Sequence, residues 1–298
     1  ERIAVFGDYD VDGITATCLL TDFLRNQGAD CLSYIPGRLE EGYGLNPIAI
    51  RQLGEEQVKL IITVDCGITA LEEAVLCREL GMDLVITDHH ECKEELPRAA
   101  AIVDPHKPGD GYPHRNLSGV AVAFKLACAL SGDAQAVLEE YADMVCLGTV
   151  ADVIPLVGEN RVFVSRGLEA LEHTKRPGLA ALMEECGCAQ GEITSSTIGY
   201  MLAPRINAAG RMGQVDLAID LFLTQDENHA RSVAAQLCEL NRQRQQIESD
   251  IYRQALAMLP EGAPPEAIVL ADEHWHQGVV GIVASRIAEE FACPAFLI

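Results

Sequence analysis

Aspartate side chains follow each of four short apolar stretches in the first part of the sequence. A carboxylate beside a buried segment costs free energy unless it is paired or binds a metal. Folding alone therefore does not explain this recurrence. The aspartates, with the histidine pair that follows one of them and a fifth site further on, are Asp8, Asp10, Asp12, Asp65, Asp88-His89-His90, Asp104 and Asp152. Together they predict a site for hard divalent cations of the kind that hydrolyses phosphoesters.

The three aspartates of the first group have different predicted roles. Asp12 precedes a pattern of helical spacing that starts at Ile14, and aspartate is a preferred N-cap residue, so Asp12 is predicted to cap this helix. One helix needs only one cap, which leaves Asp8 and Asp10 as metal ligands. The group resembles the start of an EF-hand loop, but Leu19 stands where that loop requires a glutamate.

The remaining polar residues are weighed one at a time. Asp65, taken alone, fits a turn or a helix cap. His89 and His90 point in different directions, so at most one of them fits as a core residue. Histidine with carboxylates suits Mn²⁺, Fe²⁺ or Zn²⁺, whereas an all-oxygen shell suits Mg²⁺ or Ca²⁺. Asp152 interrupts an apolar stretch and is predicted to be buried and paired or ligating, while Asp104 precedes a proline and is predicted to start a turn.

The chemistry that such a cluster performs is hydrolysis with two divalent ions. Two ions about 3.5–4 Å apart, bridged by one carboxylate, activate a water and stabilise the oxyanions of an in-line displacement. The sequence contains no G-x-S-x-G elbow, P-loop or zincin helix that would indicate another mechanism.

The elements that must position these side chains alternate between strand-like and helix-like patterns. This alternation predicts an α/β fold with a mostly parallel sheet flanked by helices. In such sheets ligands bind at the carboxyl ends of the strands, which is where the aspartates lie. The predicted strands are 2–6, 31–35, 59–64, 84–87 and 101–103.

The second half of the chain is predicted to be mainly helical. Residues 224–259 form one long helix that is polar over most of its circumference, as expected of a helix that connects domains. A proline-rich linker follows, and then the start of a smaller α/β unit that is too short to bury a core of its own, so the chain is expected to be a fragment. The predicted divisions are a catalytic domain 1–223, the connecting helix 224–259 and a truncated second domain 260–298.

Composition limits the classes of protein that fit. The net charge of −23 argues against nonspecific nucleic-acid binding, although bound divalent ions would neutralise several carboxylates locally. The 11 cysteines are scattered, and Cys186-Gly-Cys188 alone is a weak zinc signal, so reduced thiols in a cytosol are expected. No membrane span or signal peptide is recognisable, which predicts a cytoplasmic protein without membrane partners.

Ordered motifs resemble the DHH phosphoesterase superfamily, and within it the RecJ branch of single-strand-specific DNA exonucleases of bacteria. The four superfamily motifs correspond to Gly7-Asp-Tyr-Asp-Val-Asp-Gly13, Thr63-Val-Asp-Cys-Gly67, Thr87-Asp-His-His90 and Gly148-Thr-Val-Ala-Asp-Val-Ile-Pro-Leu156. The RecJ-like segments are Tyr34-Ile-Pro-Gly-Arg38, Glu41-Gly-Tyr-Gly44, Ala203-Pro-Arg-Ile-Asn-Ala-Ala-Gly-Arg-Met-Gly213 and Trp275-His-Gln-Gly-Val-Val-Gly-Ile-Val-Ala284. This resemblance extends in order over nearly the whole chain.

The resemblance implies a role for each residue of the motifs. Asp8 and Asp65 would hold one Mn²⁺ or Mg²⁺ ion, and Asp10, Asp65, His89 and Asp152 would hold a second. Asp65, His89 and His90 would be the catalytic residues, with Asp65 bridging the ions and His90 facing the scissile phosphate. The implied substrate contacts are Arg38, His90, Arg205, Asn207, Arg211 and His276. The second domain would be the first part of a DHHA1-like substrate domain.

The family pattern also implies an activity and partners. The leading hypothesis is a 5′→3′ exonuclease of DNA repair and recombination that acts on single-stranded DNA, with a single-strand-binding protein and a helicase as partners. Two alternatives are a DHH phosphodiesterase of short oligonucleotides or cyclic dinucleotides, and a non-catalytic nucleic-acid-binding relative. Some relatives have an additional histidine ligand upstream of the first aspartates, where this chain has Ala4 and Phe6. The first ion is therefore expected to be held more weakly.

Overall fold

A computed structural model describes residues 1–37, 42, 44–188, 193–259 and 266–298 of the chain. The strands are β1 (Arg2–Phe6), β2 (Cys31–Tyr34), β3 (Val58–Thr63), β4 (Asp83–Thr87), β5 (Ala101–Val103), β6 (Ile268–Leu270) and β7 (Ala295–Leu297). The helices are α1 (Val11–Asn26), α2 (Pro47–Glu55), α3 (Leu71–Glu79), α4 (Gly119–Ser131), α5 (Ala134–Ala151), α6 (Gly158–Glu172), α7 (Pro177–Glu185), α8 (Ser195–Thr197), α9 (Ala203–Arg211), α10 (Val215–Leu223), α11 (Glu227–Met258) and α12 (Gln277–Phe291), with a π-helical segment, Ile198–Leu202, between α8 and α9.

The first five strands form one sheet in the order β2-β1-β3-β4-β5, and every neighbouring pair is parallel. Alternate residues of β1 enter different cores, because successive side chains of a strand point to opposite faces. Val5 packs with the core that contains α1 and α4, whereas Ala4 and Phe6 pack with α2 and α3. The predicted α/β class with a parallel sheet covered on both faces is confirmed.

The long helix predicted at 224–259 is α11, which begins after its N-cap Asp226 and ends at Met258. Its apolar stripe serves two cores in succession. Val233 and Leu237 pack in the large core that also contains α1 and α4, while Ile251 and Ala255 pack in a smaller core with α12. A narrow stripe is sufficient because each half of the helix has only one neighbouring core to cover.

The last described segment forms a two-stranded parallel sheet of β6 and β7 with α12 across it. Trp275 is buried in this small core, and its indole Nε1 donates a 2.8 Å hydrogen bond to Gln254 on α11. This segment therefore packs on α11. The predicted domain boundaries at residues 223 and 259 stay a prediction. Among the described residues, no helix combines the length and apolarity that crossing a membrane requires.

Candidate metal centre

The predicted ligands meet at the carboxyl ends of three adjacent strands. Asp8 follows β1, Asp65 follows β3 and His89 follows β4, and these strands are neighbours in the sheet. Asp152 reaches the same place from the end of α5. Parallel strands present their carboxyl ends at one edge of the sheet, at the point where consecutive strands diverge to either side of β1. This topology brings side chains that are far apart in sequence into one cluster.

His89 is oriented for metal binding by a backbone carbonyl. Its Nδ1 lies 2.9 Å from the Leu117 carbonyl oxygen, which can only accept a hydrogen bond. Nδ1 therefore carries the proton, and Nε2 presents its lone pair, which is the usual arrangement of a ligating histidine. Nε2 points at the carboxylates, 2.9 Å from Asp65 Oδ1 and 3.8 Å from Asp152 Oδ2.

The geometry of Asp65 fits a shared metal ion. Its Oδ1 is buried and receives no hydrogen bond, although His89 Nε2 is only 2.9 Å away. Adjacent ligand atoms at about 2.1 Å from one octahedral ion lie about 3.0 Å apart. Two acceptor atoms this close repel each other unless a proton or a metal cation lies between them, so the residues present fit a divalent ion that takes the place of the proton.

The electrostatics of the cluster also favour cations. Burial raises the pKa of Asp65 well above its ordinary value, and the neighbouring carboxylates Asp12, Asp10 and Asp8 raise it further. Burial likewise raises the pKa of Asp152, with the charge of Asp10 adding to the effect. Divalent ions would remove this repulsion and keep the carboxylates ionised.

Among the described residues, three overlapping groups of side chains could each hold a metal ion. Within each group, one ligand atom from every residue lies within 4.8 Å of the others. The groups are Asp8 with Asp10 and Asp65, Asp65 with His89 and His90, and Asp12 with His89 and Asp152. Asp65 belongs to two of them, which is the arrangement that a bridging carboxylate requires.

Backbone strain is concentrated at this site. Asp65 has a left-handed backbone with φ of 59°, an uncommon conformation for a residue other than glycine. The first residue of α4 lies directly against its side chain, because a Cβ added at Gly119 would be 2.5 Å from Asp65 Cβ and 2.6 Å from Oδ1. Asp65 is thus held between a strained turn and the start of α4, which comes close because Gly119 has no side chain.

Similar proteins identify the family. Residues 2–149 match the DHH family, N-terminal domain. A crystal structure of exonuclease RecJ bound to manganese superimposes with a TM-score of 0.90 at 39% identity, covering 100% of this chain and 75% of that one. The chain belongs to the RecJ family of DHH proteins. The resemblance read from the motifs is thereby confirmed.

Other members of the RecJ family match along the whole chain. The single-stranded-DNA-specific exonuclease RecJ of Bacillus subtilis is 44% identical over 299 residues, covering 100% of this chain and 38% of the relative. A RecJ structure in complex with Mn²⁺ from Thermus thermophilus has a TM-score of 0.87 and 36% identity, with 100% of this chain and 43% of that one covered. The chain thus spans less than half the length of these two relatives.

The helix cap in the first RecJ-family motif is a different aspartate from the predicted one. Asp10, not Asp12, is the N-cap of α1, and its Oδ1 accepts a 3.0 Å hydrogen bond from the Gly13 amide. Asp12 instead accepts hydrogen bonds from two amides of a distant helix, Gly119 at 2.6 Å and Val120 at 2.8 Å. The prediction for Asp12 was wrong because its partners are 107 and 108 residues away in sequence.

Asp88 was counted in the predicted cluster, but the sequence analysis gave it no role of its own. Its Oδ1 lies 2.7 Å from His90 Nδ1, and its Oδ2 accepts a 2.9 Å hydrogen bond from the Ile68 amide. The hydrogen bond from His90 to Asp88 raises the pKa of the imidazole, which favours its charged form. A buried carboxylate directly before a histidine pair was the available signal, because such a carboxylate needs a partner.

The predicted substrate residues that the structure describes make hydrogen bonds in three different settings. Asn207 Oδ1 accepts a 3.1 Å hydrogen bond from the Val11 amide, so it supports the Asp8–Asp12 loop. Arg205 donates to the Met201 carbonyl at 2.6 Å, within its own helical segment. Arg211 Nη1 donates to the Gly278 carbonyl at 3.2 Å, and His276 is the N-cap of α12, accepting from the Gly278 amide. Arg38 lies outside the described residues, and substrate binding by all of these residues stays a prediction.

Asp104 behaves as a turn residue in part. Its Oδ1 accepts a 2.7 Å hydrogen bond from the His106 amide, as expected for an aspartate that starts a turn. The residue is nevertheless buried, and burial raises the pKa of Asp104 to about 6. It belongs to none of the three ligand groups found among the described residues.

Proposed function

We propose that the chain is the catalytic part of a metal-dependent exonuclease that removes mononucleotides from the 5′ end of single-stranded DNA. The observation that carries the proposal is the position of Asp65, which shares one group with Asp8 and Asp10 and another with His89 and His90. Relatives named as single-stranded-DNA-specific exonucleases, and RecJ structures with manganese or magnesium, support the substrate and the metals.

The proposed site holds two Mn²⁺ or Mg²⁺ ions. Asp8 and Asp65 would hold the first, and Asp10, Asp65, His89 and Asp152 would hold the second. Asp10 lies in one ligand group with Asp8 and Asp65, and its charge raises the pKa of Asp152. Bound divalent ions would lower the pKa of a water molecule and neutralise charge that develops on the phosphodiester.

The side chains around the ions have separate tasks in the proposed reaction. The Leu117 carbonyl keeps the His89 proton on Nδ1, so Nε2 stays available as a ligand. Asp88 holds His90 by Nδ1 and favours its protonated form, which would donate a hydrogen bond from Nε2 to an oxygen of the scissile phosphate. The side chain of His90 is 46% exposed, which leaves room for this contact. Asn207 contributes by fixing the loop that bears Asp8 and Asp10.

Polarity and substrate length are tested together with two labels on one strand. Single-stranded DNA carrying a label at the 5′ end is incubated with the chain and Mn²⁺, and a labelled mononucleotide should be the first product. The same strand labelled at the 3′ end should give a ladder of shortened oligomers. A duplex of the same sequence should resist degradation, and the Asp65→Ala variant should be inactive while keeping its folded circular dichroism spectrum.

The alternatives give different results in this assay. Hydrolysis of dinucleotides or cyclic dinucleotides without degradation of a longer strand would support the short-oligonucleotide phosphodiesterase. DNA binding without metal-dependent hydrolysis would support a non-catalytic role. Association with a single-strand-binding protein and a helicase, and a location in the bacterial cytoplasm, are part of the proposal and are tested by co-purification and cell fractionation.

A further inference from the structure

Val153 has a left-handed backbone directly after the proposed ligand Asp152. Its φ is 59°, and a β-branched residue in this region is strained, because its side chain crowds the backbone. This conformation ends α5. The Val153 amide donates a 3.2 Å hydrogen bond to the carbonyl of Val150, three residues back, instead of the α-helical bond to the residue four back. The turn is therefore required, but a valine is an unfavourable residue to make it.

Other helices of the same chain use glycine at this kind of position. Glycine adopts a left-handed backbone without steric penalty, which is why it is the usual residue after a helix end. Five helices, α1, α3, α4, α7 and α9, are followed by a glycine with positive φ, namely Gly28, Gly81, Gly132, Gly187 and Gly213. Three described helices have another residue with positive φ there, namely Gln57 after α2, Val153 after α5 and Ala292 after α12. Of these three, Val153 is β-branched and directly follows the proposed ligand Asp152.

Packing within the described chain does not compensate for the strain. Val153 is 85% exposed, more than any other large apolar residue in the described ranges, so its methyl groups bury little surface. A strained residue persists where its side chain has a use, and such residues concentrate at functional sites. The use of the Val153 side chain must then lie in a contact with something that binds to the chain.

The position of Val153 indicates what that partner is. Its Cα is about 3.8 Å from the Cα of Asp152, as across any trans peptide, and Asp152 Oδ2 lies 3.8 Å from His89 Nε2. Val153 thus directly follows a residue that reaches the cluster, and its exposed side chain is apolar, whereas the side chains of the cluster are carboxylates and imidazoles. A molecule that places a phosphate at the metals and an apolar surface beside it would contact both, and a nucleotide has this chemistry.

We propose that Val153 is a substrate-contact residue whose methyl groups pack against the nucleoside attached to the scissile phosphate. The inference rests on the proposed nuclease function and deepens it by naming a side chain that holds the sugar or base. The contact is apolar, so it is insensitive to base identity and is suited to a nuclease without sequence preference.

Two variants of Val153 and one control test the contact. Val153→Gly removes the side chain and relieves the strain, whereas Val153→Thr keeps the β-branched shape and makes the surface more polar. Ala292→Gly is the matched control, because Ala292 also has a left-handed backbone (φ 50°) after a helix and is in the second unit. Each protein is assayed for kcat and KM on single-stranded DNA with Mn²⁺, for binding of dTMP and of inorganic phosphate, and for Tm without metal.

We expect Val153→Gly to raise KM for DNA and Kd for dTMP about tenfold, which corresponds to about 1.4 kcal/mol and is within the value of burying a valine side chain. Val153→Thr should change both constants in the same direction by a smaller factor. Binding of inorganic phosphate and kcat should stay near wild type, since the metal ligands are intact. The Tm of Val153→Gly and of Ala292→Gly should equal or exceed that of wild type.

The outcomes separate this inference from the proposed function. Wild-type activity with unchanged KM and dTMP binding in both Val153 variants would overturn the inference and leave the nuclease proposal standing. A parallel loss of phosphate binding would also overturn it, because it would show that Val153 acts by shaping the metal site. If the wild-type chain with Mn²⁺ neither degrades DNA nor binds dTMP, both proposals are wrong.

Discussion

Gly119→Ala is predicted to disable the metal centre without unfolding the protein. Gly119 is the first residue of α4, and an added Cβ would lie 2.5 Å from Asp65 Cβ and 2.6 Å from Asp65 Oδ1. Carbon atoms in contact prefer a separation of about 3.5–4.0 Å, so the two groups must move apart by about 1 Å. Asp65 has little room to yield, because it is buried and its backbone is already in a strained conformation.

The size of the expected effect follows from the tolerance of metal sites. Ligand distances are normally kept within about 0.2 Å of their ideal values, and a displacement of about 1 Å at a reacting centre costs about a hundredfold in rate. Gly119 also donates its amide to Asp12 Oδ2 at 2.6 Å, so the same shift disturbs the carboxylate next to His89. We expect Mn²⁺ affinity to fall at least tenfold and DNA hydrolysis at least a hundredfold.

The assay compares Gly119→Ala with a glycine substitution that has space. Gly281, inside α12, has no atom within 4 Å of an added Cβ, so Gly281→Ala should bind Mn²⁺ as wild type does and gain about 1 kcal/mol of helix stability. Mn²⁺ binding is measured by titration calorimetry, and folding by circular dichroism and urea denaturation. Wild-type Mn²⁺ affinity in a folded Gly119→Ala variant would refute the close packing of α4 against Asp65.

Three further predictions concern other buried charges. Asp65→Asn should raise the Tm of the metal-free chain, because repulsion from neighbouring carboxylates is removed. The same variant should abolish the stabilisation by Mn²⁺, which is about 2.7 kcal/mol for wild type at a Mn²⁺ concentration of 100 times Kd. Thermal denaturation with EDTA or with Mn²⁺ checks both effects. Arg176→Ala should cost about 3–5 kcal/mol in urea denaturation, because it leaves Asp143, 3.2 Å away, buried without its ion pair, while Mn²⁺ affinity stays unchanged. Asp104→Asn should become progressively more stable than wild type as the pH rises from about 4 to about 6, by on the order of 1–3 kcal/mol. The pKa of Asp104 is about 6 in the folded protein against an ordinary 3.8, so the stability that protonated Asp104 contributes is complete below the unfolded pKa and is lost through this window. A stability difference between the variant and wild type that does not change with pH would contradict this prediction.

Local patterns were sufficient to predict the architecture of the first half of the chain. Short apolar runs separated by helical periodicity indicated β1 to β5, and the structure has a strand at each. The long α11 was predicted within three residues at its start, since neither glycine nor proline interrupts it. Such elements are predictable because their hydrogen bonds and periodicity are contained within short segments of chain.

The assignment of single side chains was less predictable where partners are remote. Asp12 was predicted as the cap because the helical pattern starts at Ile14, but α1 already begins at Val11, so Asp10 is the cap. The structure decides between them through α4, whose N-terminal amides attract Asp12. Asn207 shows the same limit, since the Val11 amide that it binds is 196 residues away.

The sequence by itself determined that carboxylates and a histidine stand at the ends of parallel strands, and hence that they converge. That inference needs only the rule that parallel strands share one carboxyl edge. The tertiary structure alone decided how the cluster is held: Asp12 accepts from the amides of α4, Gly119 packs against Asp65, and Asp88 contacts His90. Most of these contacts depend on how helices pack on the sheet, and that packing is a property of the whole core, which no short stretch of sequence specifies.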